Sequence, residues 1–160
     1  MYLWKVKALA QDFREGKVTQ KEQMKYYLLF SVLTLAAASL SSSGNSFFDN
    51  SYLDWVDFCL QILITALGII WCFQANQQGD DRDFVGRMVC IGLPLGIRIS
   101  VWIILLSVIY FIVFGIGKDL WRNIFWLGLF TLFNIYYYYQ LRKYIAYISS
   151  YQTSSYNEKV

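Results

Sequence analysis

Asp80, Asp81 and Asp83 fall within four residues of one another, and Arg87 and Arg98 follow in the same stretch. Three hard carboxylate ligands can hold a divalent cation and two guanidiniums can hold phosphate, a combination that would suit a Mg-dependent lipid phosphotransferase beside a membrane. No second carboxylate cluster follows to complete a two-metal site. The same residues have a plainer use. Carboxylates before and within the first turn of a helix meet its unpaired N–H groups and the positive end of its dipole, and Asp83 and Arg87 have the i,i+4 spacing of an ion pair in the favourable order. A third reading puts Asp80, Asp81, Asp83, Arg87 and Arg98, with Arg142 and Lys143 farther along, on a cytoplasmic face. That face would meet anionic lipid headgroups or a soluble partner.

A second constellation is more regular. Asp54, Asp57, Gln61, Thr65, Gly68 and Cys72 follow one another at spacings of three or four residues, so they share roughly 80° of one helical face. Such a seam can line the path of a small ion channel or transporter, with Asp57 and Gln61 near its outer mouth attracting cations. It can equally pack one helix on another through small and polar residues, in which case Gly128, Thr131 and Asn134 near the end of the chain offer a matching surface. Ser31, Thr34, Ala38 and Ser42 offer another. These small-residue faces exceed what one four-helix unit needs, so a homo-oligomer is expected.

Absences remove most enzyme classes. The chain has no histidine, which takes away the commonest general base and neutral metal ligand, and with them HExxH metalloproteases and Ser-His-Asp hydrolases. Glycine-rich phosphate loops and G-x-S-x-G elbows are missing as well. Cys59 and Cys72 are thirteen residues apart, roughly 20 Å on one helix, and cannot bond within a chain. No catalytic residue, metal or cofactor is expected, nor is a nucleic-acid partner.

The elements that position these residues are written in the composition. A chain that is 57% apolar, 19% aromatic and only 16% charged departs from the soluble norm. Its apolar runs each approach the roughly 20 residues that cross a hydrocarbon core of about 30 Å. They predict four spans at about 24–43, 53–73, 94–116 and 123–140. Six basic residues precede the first span, three lie between the second and third, and three follow the fourth, against two in the third loop and none in the first. That bias puts both termini in the cytoplasm.

Residues 2–15 predict an amphipathic helix, with Tyr2, Leu3, Val6, Leu9, Ala10 and Phe13 on one side. Its apolar stripe would lie in the inner leaflet or pack on the protein's own cytoplasmic face. Gly16 ends this helix and Thr19 caps the next in a TQKE capping box. The loop SSSGNSFFDNSYLDW at 41–55 is short, polar and acidic, with Phe47, Phe48, Tyr52 and Trp55 as interfacial anchors. The apolar run from Phe84 to Ile116 is too long for one simple crossing, so Gly92 and Pro94 are expected to break it. A short interfacial helix would then precede span three, and Arg98 would lie one turn inside that span, snorkelling to phosphate level. Residues 141–160 read as a cytoplasmic tail, whose last part, SSYQTSSYNEKV from Ser149, is expected to be disordered.

The expectation is thus an all-α integral membrane protein, a single membrane unit with four transmembrane helices and both termini inside. It has the general look of small bacterial inner-membrane proteins that act non-enzymatically as a subunit, anchor or effector for a cytoplasmic partner.

Overall fold

A computed structural model describes residues 4–41, 51–114 and 120–157, and all regular structure among them is α-helical. The helices are α1 (Val6–Arg14), α2 (Gln20–Ser41), α3 (Ser51–Gln77), α4 (Phe84–Phe114) and α5 (Leu120–Asn157). Tyr2, Leu3, the loop aromatics Phe47 and Phe48, the span ends at 42–43 and 115–116, and the Asp54 side chain lie outside the described residues.

The apolar stripe of α1 is covered by the chain itself: Val6, Leu9, Ala10 and Phe13 are buried, and α1 packs on α5 and α4. Of its two expected destinations, the protein's own end is the one observed. Gly16 terminates α1 at φ +67°, where a side chain would be strained. Its N–H donates to the Phe13 carbonyl and that of Lys17 to the Asp12 carbonyl, the paired bonds of a Schellman motif. Thr19 then caps α2 as expected, its hydroxyl 3.4 Å from the Glu22 N–H.

Among the described residues, two helices are long and apolar enough to cross a membrane, through Trp55–Gln77 in α3 and Phe84–Ile112 in α4. The packing order is α3, α5, α4, α2, so α5 lies between two helices that precede it in sequence. Contacts rise in step along α3 and α5, from Gln61 with Asn134 to Ala75 with Ser149, so these two run parallel.

The structure corrects two expectations. First, α4 does not break: one helix runs from Phe84 to Phe114 with Pro94 inside it, and no separate interfacial helix precedes it. Gly92 is not a helix stop. A Cβ there would come within 2.5 Å of the Tyr137 Oη, so the glycine admits a ring from α5. An interior proline costs about 3 kcal/mol through its missing N–H and its ring. The neighbours Cys90, Ile91, Leu93 and Leu95 are buried around it, and that packing offsets the cost. With the helix continuous, Arg98 lies fourteen residues past its start, roughly 21 Å along the axis.

Second, the expected tail is helix as far as Asn157. Leu141, Ile145, Ile148 and Ser149 are buried in the core with the α1 stripe. Each fully buried Leu or Ile contributes about 1.5–3 kcal/mol, enough for three of them to hold several added turns.

Candidate functional site

Two polar constellations occupy the α3–α4–α5 unit, one at the turn between α3 and α4 and one partway along the helices. At the end where α3 turns into α4, Arg87 forms a bidentate pair with Asp80, both nitrogen–oxygen distances being 2.5 Å. Both side chains are about 95% buried, their exposures being 6% and 5%. Arg87 also donates to the Asn76 Oδ1 at 2.9 Å, and Asn76, itself fully buried, donates to the Arg82 carbonyl at 3.4 Å. The turn is therefore closed by a satisfied ionic network, which a buried charge requires. Burial pushes the Asp80 carboxyl up, but the hydrogen bonds and charge of Arg87 outweigh it and hold the group below the ordinary carboxylate range.

The expected Asp83–Arg87 pair is replaced by Asp80–Arg87. Asp83 is the N-cap of α4 instead: its Oδ1 accepts from the Gly86 N–H at 3.3 Å, and its Oδ2 accepts from the Gln23 side chain at 2.9 Å, which ties α2 to α4. The i,i+4 pair needs both residues inside a helix, whereas Asp83 sits at φ +41°, outside it. Asp81 and Arg82 are exposed. The three carboxylates thus do separate work, and among the described residues no three His, Cys, Asp or Glu side chains gather as metal ligands.

Farther along α5, the Arg142 guanidinium lies over the Trp71 ring at 4.4 Å. Lys143 is exposed and lines a cavity of about 430 Å³ with Lys7, Gln11 and Tyr147. Arg14 of α1 lies over the Tyr147 ring, 4.6 Å from its centroid.

The second constellation is the seam on α3, which faces α5. The part of it nearer the α3–α4 turn is closed: Gly68 receives the Tyr138 ring, and the buried Cys72 thiol lies 3.8 Å from the Tyr138 carbonyl. Thr65 interacts with the Tyr138 hydroxyl. Only the part farther from that turn opens. There Asp57 accepts from the Gln61 amide at 3.1 Å, and the Asn134 amide of α5 donates to the Gln61 Oε1. These three residues, with Ser100 of α4 and the aromatic rings Phe130, Phe133 and Tyr137, line a groove of about 460 Å³ between α3, α4 and α5.

Of the expected site residues, the structure joins Asp57, Gln61 and Asn134 in this groove, and Asp80 with Arg87 at the turn. Thr65 and Gly68 serve packing, and Arg98 is exposed on α4. Sequence reasoning missed Asn76, Tyr137, Tyr138 and Ser149. Asn76 carried a faint signal, a polar residue in the last turn of an apolar helix. The tyrosines carried none, since YYYY reads only as an aromatic belt. Gly79 gave a further hint, because a Cβ there would collide with Ser149. No protein-family model, no curated protein and no solved structure matches this chain.

Proposed function

We propose that the chain is a multi-pass bacterial inner-membrane protein of four spans with both termini in the cytoplasm. It acts without chemistry of its own, as a homo-oligomeric subunit or anchor that presents its packed end to a soluble partner. The observation that carries this reading is the segregation of exposure along the helices. Cys72, Ile91, Leu141 and Ile145 are fully buried at one end, whereas Leu67 is 58%, Ile104 60% and Leu132 67% exposed toward the other. A monomer in water does not tolerate so large an apolar patch. Lipid accepts it without penalty.

The same exposure supports α2 and α5 as the remaining spans, since Phe30, Val32 and Leu33 of α2 and Phe125 and Ile135 of α5 are uncovered. The packed end carries most of the lysines and arginines, which supports its cytoplasmic orientation and contact with anionic headgroups. Asp80 and Arg87 are satisfied internally, so docking falls to the exposed charges around Asp81, Arg82 and Lys143.

A compartment reporter fused after Val160 is expected to be active only in the cytoplasm, and one inserted after Gly117 only outside. Periplasmic activity at Val160 overturns the four-span reading. Arg82→Glu with Lys143→Glu is expected to abolish co-purification of the cytoplasmic partner while insertion is unchanged; retained co-purification counts against docking at this face.

A further inference from the structure

Among the described residues, the apolar half holds two opposite charges that do not meet within the chain. Asp57 lines the groove between α3, α4 and α5, where no lysine or arginine among the described residues joins it and its hydrogen bond comes from the uncharged Gln61 amide. Arg98 is exposed on α4 among apolar residues, with Val101 and Trp102 uncovered one turn on. Arg98 falls within the stretch of α4, Gly96 to Ile103, that lines the groove, so the two differ in depth by no more than the length of that groove, which an arginine side chain can bridge. Yet they cannot pair intramolecularly. At 100° per residue, Arg98 points roughly 150° away from the groove-lining face formed by Gly96, Ile99, Ser100 and Ile103.

We infer that the groove is an interface for a second copy of this chain, in which the Arg98 guanidinium of one copy enters the groove of the next and pairs with Asp57. The groove suits a guanidinium in particular: a carboxylate offers the bidentate partner, the Gln61 and Asn134 amides add polar contacts, and Phe130, Phe133 and Tyr137 offer ring faces for stacking. A single fixed topology in the membrane gives every copy the same orientation, so the contact requires Arg98 to lie within the depth the groove spans, and the Gly96–Ile103 lining includes its position. One ridge meets one different groove, so the contact is head-to-tail and closes as a ring around an axis along the membrane normal. The pairing also gives both intramembrane charges a partner, which their presence in lipid calls for. The inference rests on the homo-oligomeric reading above and deepens it by naming the contact.

A charge swap tests it, with the protein in phosphatidylglycerol nanodiscs and the oligomer counted by native mass spectrometry. Wild type is expected as a closed oligomer. Asp57→Arg alone and Arg98→Asp alone are each expected to lower the oligomeric fraction at least tenfold, and the double swap to restore it. Oligomers that persist in both single variants overturn the contact and leave the homo-oligomeric reading standing, whereas a monomeric wild type removes both. Should a swapped variant fail to insert, cross-linking gives a second readout in chains whose native cysteines are replaced by alanine. Asp57→Cys copies mixed with Arg98→Cys copies are expected to be joined as a mixed dimer by a short bismaleimide cross-linker that replaces the reach of the arginine side chain, and its absence overturns the proposal. Added benzyltrimethylammonium that binds wild-type groove without dispersing the oligomer also overturns it, since the groove would then serve a small cation rather than a second copy.

Discussion

The two halves of α4 have nearly the same composition and opposite surroundings. From Cys90 to Leu95 the helix is buried by α5, α1 and α2, with Ile91 fully covered, while from Val101 to Ile112 Trp102 is 56% and Ile112 75% exposed. Nothing in residue type separates Ile91 from Ile104. Neighbours separate them: the first half is crossed by α1 and gripped by the far end of α5, and the second is left to diverge from α3 around a polar groove. A hydrophobic run thus does two jobs, as protein core at one end and as a surface for lipid or another copy at the other. The polar chemistry differs in parallel. At the packed end charge is buried, paired and hydrogen-bonded; in the apolar half Asp57 and Arg98 are held apart.

The largest expected effect comes from breaking the packed end. Arg87→Met strands a buried Asp80 carboxylate and should cost about 3–5 kcal/mol, read from denaturant unfolding in mild detergent. Replacing both partners with apolar residues of similar size should recover most of the loss. The pair also carries a pH signature. Because the folded Asp80 pKa is depressed, its contribution is fully present above the ordinary carboxylate value near 4 and is lost as pH falls below that range through the folded pKa. Stability that is flat through this window would show the pair to be unimportant.

The comparison itself is sharpened by one substitution made twice. Ile145→Ala, at a fully buried site, should cost about 2–5 kcal/mol. Ile104→Ala, at an exposed site, should stay within about 0.5 kcal/mol for the isolated protomer in detergent. Equal losses would erase the distinction between the halves. An effect between these two is expected at the groove, where Asn134→Leu removes one interhelical hydrogen bond to Gln61 and should cost about 0.6–1.7 kcal/mol by the same measurement.

Much of the candidate site was legible before any packing was known, because the α3 seam depends only on helical periodicity. Asp57, Gln61 and Asn134 were all visible as its polar members. What was not visible was that Tyr138 seals the half of the seam nearer the α3–α4 turn and leaves the other half open, since a ring two helices away in sequence decides it. The Asp80–Arg87 pair was hidden for a related reason: sequence spacing favoured Asp83, and only the positive φ at Asp81 and Asp83 turns Asp80 inward.

By itself the sequence determined the helical segments, the Gly16 stop, the Thr19 cap and the apolar runs, because these follow from local propensity, capping and periodicity within a few residues. Tertiary structure alone decided that α4 passes through Pro94 unbroken, that α5 continues past Arg142 to Asn157, and which of several aspartates Arg87 would hold. Each of those outcomes sets a local cost against burial by residues distant in the chain. Gly92 can look like a helix stop until Tyr137 needs its space.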